Sequence, residues 1–327
     1  MAVKFSVIVP TTGGRMENLD LVLTSLECQW FPRDDFEVIV VNDGGELETK
    51  DLVATYRGKF GKLSYIFSPK FVPIPLPQIA PLDVEATITI WGEGGDIIKL
   101  VPNEQPRNKG ARQAENPFFI FADSDVVLPP NALALYNEDM SNNPNRIMLG
   151  IYHWLHPMIV TQRDVIERFD NIIHHHLQKV PLSEPQTHNI CRDMRLKTFL
   201  ETTPNDVFQK PGNLGAALAC FSGNICWPKE LFWGIGGYDN HVHAGAHEDG
   251  LSGLRAYFEG YGISYDKRIV GGHLYHGRDV GYIMSFKWQE VEYINSKFKD
   301  EPEFKGVIEA TEREQETLGV AGWKKEW

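Results

Sequence analysis

Asp123 and Asp125 stand one residue apart at the end of an apolar run, Phe118-Phe-Ile-Phe-Ala122, with Pro129-Pro130 shortly after. On an extended chain, side chains two residues apart point the same way, so both carboxylates could reach one centre while Ser124 turns aside. All-oxygen ligation favours a hard cation such as Mg2+ or Mn2+, which would in turn hold substrate phosphates. An isolated Asp-x-Asp is equally compatible with a solvated loop, so the neighbouring elements decide its weight. A second acidic pair, Glu248-Asp249, opens a stretch whose Leu251, Leu254 and Phe258 recur at helical spacing. Acids at a helix start also serve ordinary capping. His174-His-His176 suggests a metal. Adjacent helical residues point about 100° apart and cannot chelate one ion, so a solvated helix face is expected there.

The elements that must position these residues alternate. Phe5–Val9 is a short β run that stops at Pro10-Thr-Thr-Gly-Gly-Arg15, after which Leu19, Val22, Leu23 and Leu26 repeat at helical spacing. Phe36-Glu-Val-Ile-Val-Val-Asn-Asp-Gly-Gly45 repeats the arrangement, with Asp43 directly after the strand, a helix expected over 51–60 and a strand over 62–67. Arg107–Ala114 reads as the helix leading into the aspartate-tipped strand. Such alternation predicts a doubly wound α/β sheet, whose ligands gather outside the carboxyl ends of the strands. An insertion over about 69–106 breaks the pattern: five prolines fall between Pro69 and Pro81, and 86–91 and 96–101 flank Gly92-Glu-Gly-Gly95 as a hairpin candidate. Residues 1–282 are read as one catalytic domain and 283–327 as a helical extension packed on it.

Composition narrows the partners. With 327 residues, 42% hydrophobic and 23% charged, the chain can bury a sizeable core. A formal net charge of −12 without a basic block argues against an electrostatic hold on nucleic acid or anionic lipid. The four cysteines are scattered and have no metal-ligand spacing, so reduced core thiols are expected. No apolar run approaches a membrane span, and the start of the chain has no signal-peptide pattern, which sets a cytoplasmic protein as the expectation.

Several motifs arrive in an order that resembles a family. Val7-Ile-Val-Pro10, Val40-Val-Asn-Asp-Gly44, Arg107-Asn-x-Gly110 and Asp123-Ser-Asp125 look like a nucleotide-sugar-dependent glycosyltransferase of family 2, with the GT-A fold. Phe221-Ser-Gly through Gly236-Gly-Tyr-Asp239 to His247-Glu-Asp249 and Arg255 is similar to the carboxy-terminal segment of β-1,4-galactosyltransferases and related glycosaminoglycan polymerases. The resemblance implies that Pro10, Thr11 and Asp43 line the nucleotide base pocket, that Arg15 touches the diphosphate, and that Arg107, Asn108 and Ser124 belong to the donor side. It implies that Asp123 lies against ribose and metal, that Asp125 is a direct metal ligand, and that His276 completes the coordination, with His273 as the alternative. Asp249 takes the place of the general base and Glu248 of a sugar- or acceptor-binding acid. The implied activity is Mn2+- or Mg2+-dependent, inverting hexosyl or N-acetylhexosaminyl transfer from a nucleotide sugar, a UDP-sugar first, to a carbohydrate or other hydroxyl acceptor.

The resemblance has gaps. His243-Ala-Gly-Ala-His247 stands where the galactosyltransferases have a tryptophan and glycines, and the 69–106 insertion lies outside the family pattern. Two rivals share the broad pattern. A nucleotidyltransferase also uses an α/β sheet and paired aspartates on Mg2+, although no Gly-rich, lysine-containing phosphate loop follows the first strand. A catalytically silent carbohydrate-binding protein on the same fold is the other.

Overall fold

The structure is a computed structural model, and it describes residues 4–12, 14–45, 48–68, 70–71, 87–90, 104–155, 160–173, 217, 220–243, 248–274, 276, 290, 293–302 and 304. Its backbone is a mixed sheet. The strands are β1 (Phe5–Thr11), β2 (Phe36–Asp43), β3 (Lys62–Ser68), β4 (Thr87–Ile90), β5 (Phe118–Ala122), β6 (Val126–Val127), β7 (Arg146–Trp154), β8 (Asn224–Pro228) and β9 (Gly262–His273). They lie in the order β4-β3-β2-β1-β5-β8-β7-β9-β6. β3, β2, β1 and β5 run parallel, while β8 enters antiparallel between β5 and β7.

Helices cover both faces: α1 (Met16–Glu27), α2 (Glu48–Ala54), α3 (Pro106–Gln113), α4 (Ala132–Asn142), α5 (Gln162–Glu167), α6 (Lys229–Gly234) and α7 (Glu248–Phe258). The apolar runs of β1 and β2 form strands buried on both sides, and successive residues feed opposite cores. Phe5, Val7, Val9, Val38 and Val40 join Leu19, Val22, Leu23 and Leu26 of α1 in one cluster. Ile8, Ile39 and Val41 join Ala111 of α3, Phe232 of α6 and Leu251 and Leu254 of α7 in the other. The carboxyl ends of β1, β2 and β5 are thus framed by α1 on one side and by α3 and α7 on the other.

The first arm of the expected hairpin is the strand β4. β4 adds to the edge of the main sheet, antiparallel to β3 with Tyr65 opposite Thr89, because β3 offers it an open ladder. The second arm, 96–101, lies outside the described residues, as do the 174–176 histidines. The expected 51–60 helix is shorter and earlier, ending at Ala54 before a turn. From the carboxy-terminal extension, residues 293–298 are helical, and Phe298 and Phe304 pack into the second core beside Phe258.

Candidate active site

Asp125 is 7% exposed, and its placement follows from a turn. Val126 N–H donates to Asp123 O at 3.0 Å, so Asp123-Ser-Asp125 folds back directly after β5 and β6 leaves in a new direction. β6 then pairs antiparallel with β9, with Val126 opposite His273, and Leu274 N–H donates to Asp125 O at 2.7 Å. That pairing carries the far end of β9 to the aspartate. Asp125 Oδ2 lies 3.1 Å from His276 Nε2, and Asp125 Oδ1 lies 3.5 Å from His273 Nε2. One ligand atom from each of the three falls within 4.8 Å of the others. Arg15, at the start of α1, donates from Nη1 to Asp125 Oδ2 at 2.9 Å. Burial pushes the Asp125 carboxyl up, but the hydrogen bond from His276 and the charges of His273, His276 and Arg15 outweigh it and hold it at about 2.

The extended-strand reading had both carboxylates reach one centre; in the structure the two side chains take different partners. Asp123 lies outside the three-residue cluster and its carboxylate takes a hydrogen bond from Arg107 Nη2. His273 and His276 were alternatives, whereas the β6–β9 pairing brings both to Asp125. The donor set of one carboxylate and two imidazoles also shifts the metal preference from Mg2+ toward Mn2+, since imidazole is a poor partner for the harder ion.

Arg107 joins the Asp123-Ser-Asp125 turn to the second acidic pair. Its side chain is 8% exposed, and Nη1 donates to Glu248 Oε1 at 3.1 Å while Nη2 reaches Asp123. Burial opposes the guanidinium charge, and Asp123, Asp249 and Glu248 more than compensate. Asp249 follows Glu248 on the first turn of α7, and its Oδ1 is buried with no hydrogen-bond partner among the described residues. Burial pushes the Asp249 carboxyl above the ordinary range. Arg107 opposes the shift, Asp123 adds to it, and hydrogen bonding to Ser222 opposes it again.

The remaining expected residues fall into two kinds. Pro10 and Thr11 end β1 and Ser124 sits in the turn, all at the same edge of the sheet. Asp43 is 5% exposed at the end of β2 and already accepts from Lys109 Nζ at 3.1 Å and from Phe71 N–H at 2.9 Å. Asn108 does not face the cluster with a spare amide: Nδ2 donates to Tyr238 O at 2.8 Å and Oδ1 accepts from Tyr238 N–H at 2.9 Å. It therefore acts through Tyr238, as the stitch between α3 and the turn after α6. Gly237 holds φ +68 in that turn, and a Cβ there would stand 2.7 Å from Asn108 Oδ1. Gly110 allows α3 its close approach, since a Cβ would meet Ile8 Cγ2 at 2.4 Å.

With this geometry in place, residues 6–71 match the family model described as Glycosyl transferase family 2. That stretch runs from β1 to the residue whose N–H binds Asp43. The fold is a GT-A fold, and the family 2 match covers its first three strands. The chain is similar to TarS 1-349 of S. aureus in complex with UDP-GlcNAc, with TM-score 0.54 and 19% identity over 84% of this chain and 60% of that one. It is also similar to the mannosyltransferase PcManGT of Pyrobaculum calidifontis in complex with GDP-Man and Mn2+, with TM-score 0.53 and 16% identity over 95% of this chain and 69% of that one. Identities this low carry the fold and no more. The chain spans about 60% of the length of TarS 1-349. Comparison with curated proteins returns no match.

Several residues that build the candidate site had no signal in the sequence. Lys109 is 2% exposed and ties α3 to Asp43 and, at 2.7 Å, to Ser68 Oγ. Gln105, just before α3, binds the 239–242 loop from across the chain. Only the Arg107-Asn-x-Gly110 motif placed their neighbourhood at the site. No helix among the described residues is long and apolar enough to cross a membrane.

Proposed function

We propose that the chain is a metal-dependent inverting glycosyltransferase that moves a hexosyl or N-acetylhexosaminyl group from a nucleotide sugar to a hydroxyl acceptor. The observation that carries this reading is the link from Asp125, His273 and His276, through Asp123, Arg107 and Glu248, to a buried carboxylate, Asp249, with a raised pKa. A cation site with a base within one network suits a reaction that must neutralise a departing diphosphate and deprotonate an alcohol.

Asp125, His273 and His276 would hold Mn2+, an ion that the PcManGT structure contains. When bound, the ion neutralises negative charge on the leaving phosphates. Arg15 already reaches Asp125 and stands ready to hold the diphosphate. UDP-sugars are the first donors to test, since TarS was solved with UDP-GlcNAc. Asp249 takes the acceptor hydroxyl proton as that oxygen bonds to the anomeric carbon and the bond to the nucleoside diphosphate breaks. A raised carboxyl is a stronger base, and general-base help of this kind contributes roughly 10²–10⁴-fold. Attack opposite the leaving group inverts the anomeric centre. Burial of the Arg107 guanidinium fixes the distance between the two halves of the reaction.

The test is incubation with UDP- and GDP-sugars with and without Mn2+. Mn2+-dependent release of nucleoside diphosphate is the expected result. Release of pyrophosphate from nucleotide and sugar phosphate would place the chain among nucleotidyltransferases. Sugar binding with no release would make it a binding protein on this fold.

A further inference from the structure

The loop before the Glu248–Asp249 pair is gripped from three directions. Gln105 donates to it from the start of α3, with its N–H on Asn240 Oδ1 at 2.9 Å and its Nε2 on the carbonyls of Asp239, at 3.1 Å, and Val242. Arg255 of α7 donates from Nη2 to Asp239 Oδ2. The third grip comes from the carboxy-terminal extension, where Tyr293 Oη donates to Asp239 Oδ2 at 2.9 Å and Glu290 binds His243.

The same device appears twice. Asp239 Oδ1 accepts both the backbone N–H of His241, at 2.9 Å, and its Nδ1, at 2.8 Å. Glu290 Oε1 accepts both the backbone N–H of His243, at 2.5 Å, and its Nδ1, at 2.8 Å. One carboxylate oxygen in each case fixes backbone and imidazole together. Asp239 is local to its histidine, whereas Glu290 lies 47 positions away and joins the extension to the loop. Glu290 is 4% exposed, and its Oε2 is buried with no partner among the described residues. A buried carboxylate with one oxygen unsatisfied costs stability that an apolar side chain would not. Packing alone therefore gives no reason for an acid at this place.

We propose that Glu290 is a positioning residue for Asp249. By holding His243 it fixes the chain five residues before Glu248, and so sets where α7 begins and where its base points. This rests on the glycosyl-transfer reading only for the name of the reaction. The contact itself makes the extension, which has no counterpart in the 6–71 family match, part of the acceptor side of the site.

Full-length Glu290→Ala and Glu290→Gln test it by two readouts. Amide hydrogen exchange should rise at least about tenfold over 239–243 and the first turn of α7 in Glu290→Ala, and stay at the parent's level in β1 and β5. Gln keeps the Oε1 acceptor for both N–H groups and should restore the protection. In turnover, Glu290→Ala should lower kcat about tenfold with the donor KM within twofold, and Glu290→Gln should recover most of it. Unchanged exchange in Glu290→Ala overturns the proposal, as does raised exchange with kcat intact or with kcat and donor affinity failing together. A parent that releases no nucleoside diphosphate sinks the glycosyl-transfer reading instead, and exchange then decides the positioning role alone.

Discussion

The two sides of the site are built by different means. On the proposed donor side, β1, β2, β3 and β5 are parallel, buried strands whose residues at the carboxyl ends are placed by backbone pairing and close packing, as with Gly110 against Ile8. On the proposed acceptor side, the start of α7 and the 239–243 loop are held by polar contacts between residues far apart in sequence: Arg107 with Glu248, Gln105 with the loop, Glu290 with His243. A side fixed by a sheet tolerates loss of one side chain without moving. A side fixed by a few charged contacts moves when one is removed. Mutations should therefore separate into losses of chemistry without displacement on the donor side and displacements with partial loss on the other.

The largest expected effect is on the donor side. Asp125→Ala should abolish Mn2+-supported binding of UDP, measured by calorimetry, while the unfolding midpoint stays near the parent's, because β6–β9 pairing and not the carboxylate holds the turn. Loss of fold together with binding would show that the ion-pair cluster, rather than the sheet, supports this side.

Next in size is Asp249→Asn, which keeps shape and removes basicity. Turnover should fall by roughly 10²-fold or more with donor affinity within a few-fold, the pattern of an interaction made mainly in the transition state. The product should have the anomeric configuration opposite to the donor's. Near-parental turnover, or a retained configuration, would remove the single-base mechanism and leave the metal side standing.

How much of this was legible divides along the same line. The β runs at 5–9, 36–43, 62–67 and 118–122 showed themselves because strands buried on both faces need unbroken apolar sequence; Asp43 ends the second and Asp125 follows the last. The different partners of Asp123 and Asp125 were not legible because an i, i+2 argument assumes extended chain, and the turn depends on a hydrogen bond from Val126 that no composition announces. That both His273 and His276 meet Asp125 depends on β6 pairing with β9, Val126 with His273 some 147 positions further on, a register that a sequence cannot give. Glu290 and Gln105 are ordinary polar residues until the fold brings them to the loop.

A smaller effect sharpens the metal side. His273→Ala and His276→Ala should each weaken Mn2+ affinity, by about 10–100-fold on the scale of lost support at metal sites. Added Mn2+ should restore part of the turnover that either variant loses. If only one variant loses affinity, the other histidine serves only as a hydrogen-bonding neighbour of Asp125.

The smallest expected effect on catalysis lies at a seam between the two constructions, where α4 meets β9. Asp139 of α4 is pushed up to about 7 by burial and by the charge and hydrogen bond of Asp266, with Arg268 opposing and Glu138 adding. Arg268 Nη2 lies 2.7 Å from Asp266 Oδ2 and 3.8 Å from Asp139 Oδ1. The folded value is above the unfolded one of about 3.9, so folding favours the protonated acid. That contribution is fully present below about pH 4 and is lost as pH rises through 7. Asp139→Asn, which cannot ionise, should match the parent's stability near pH 4 and exceed it at pH 8 by about 1–3 kcal/mol, with turnover unchanged. Urea unfolding of both proteins across that range checks it. Equal pH dependence in the two would mean that Arg268 keeps both carboxylates ionised, and that β9 reaches the metal cluster from a seam held by charge on both sides.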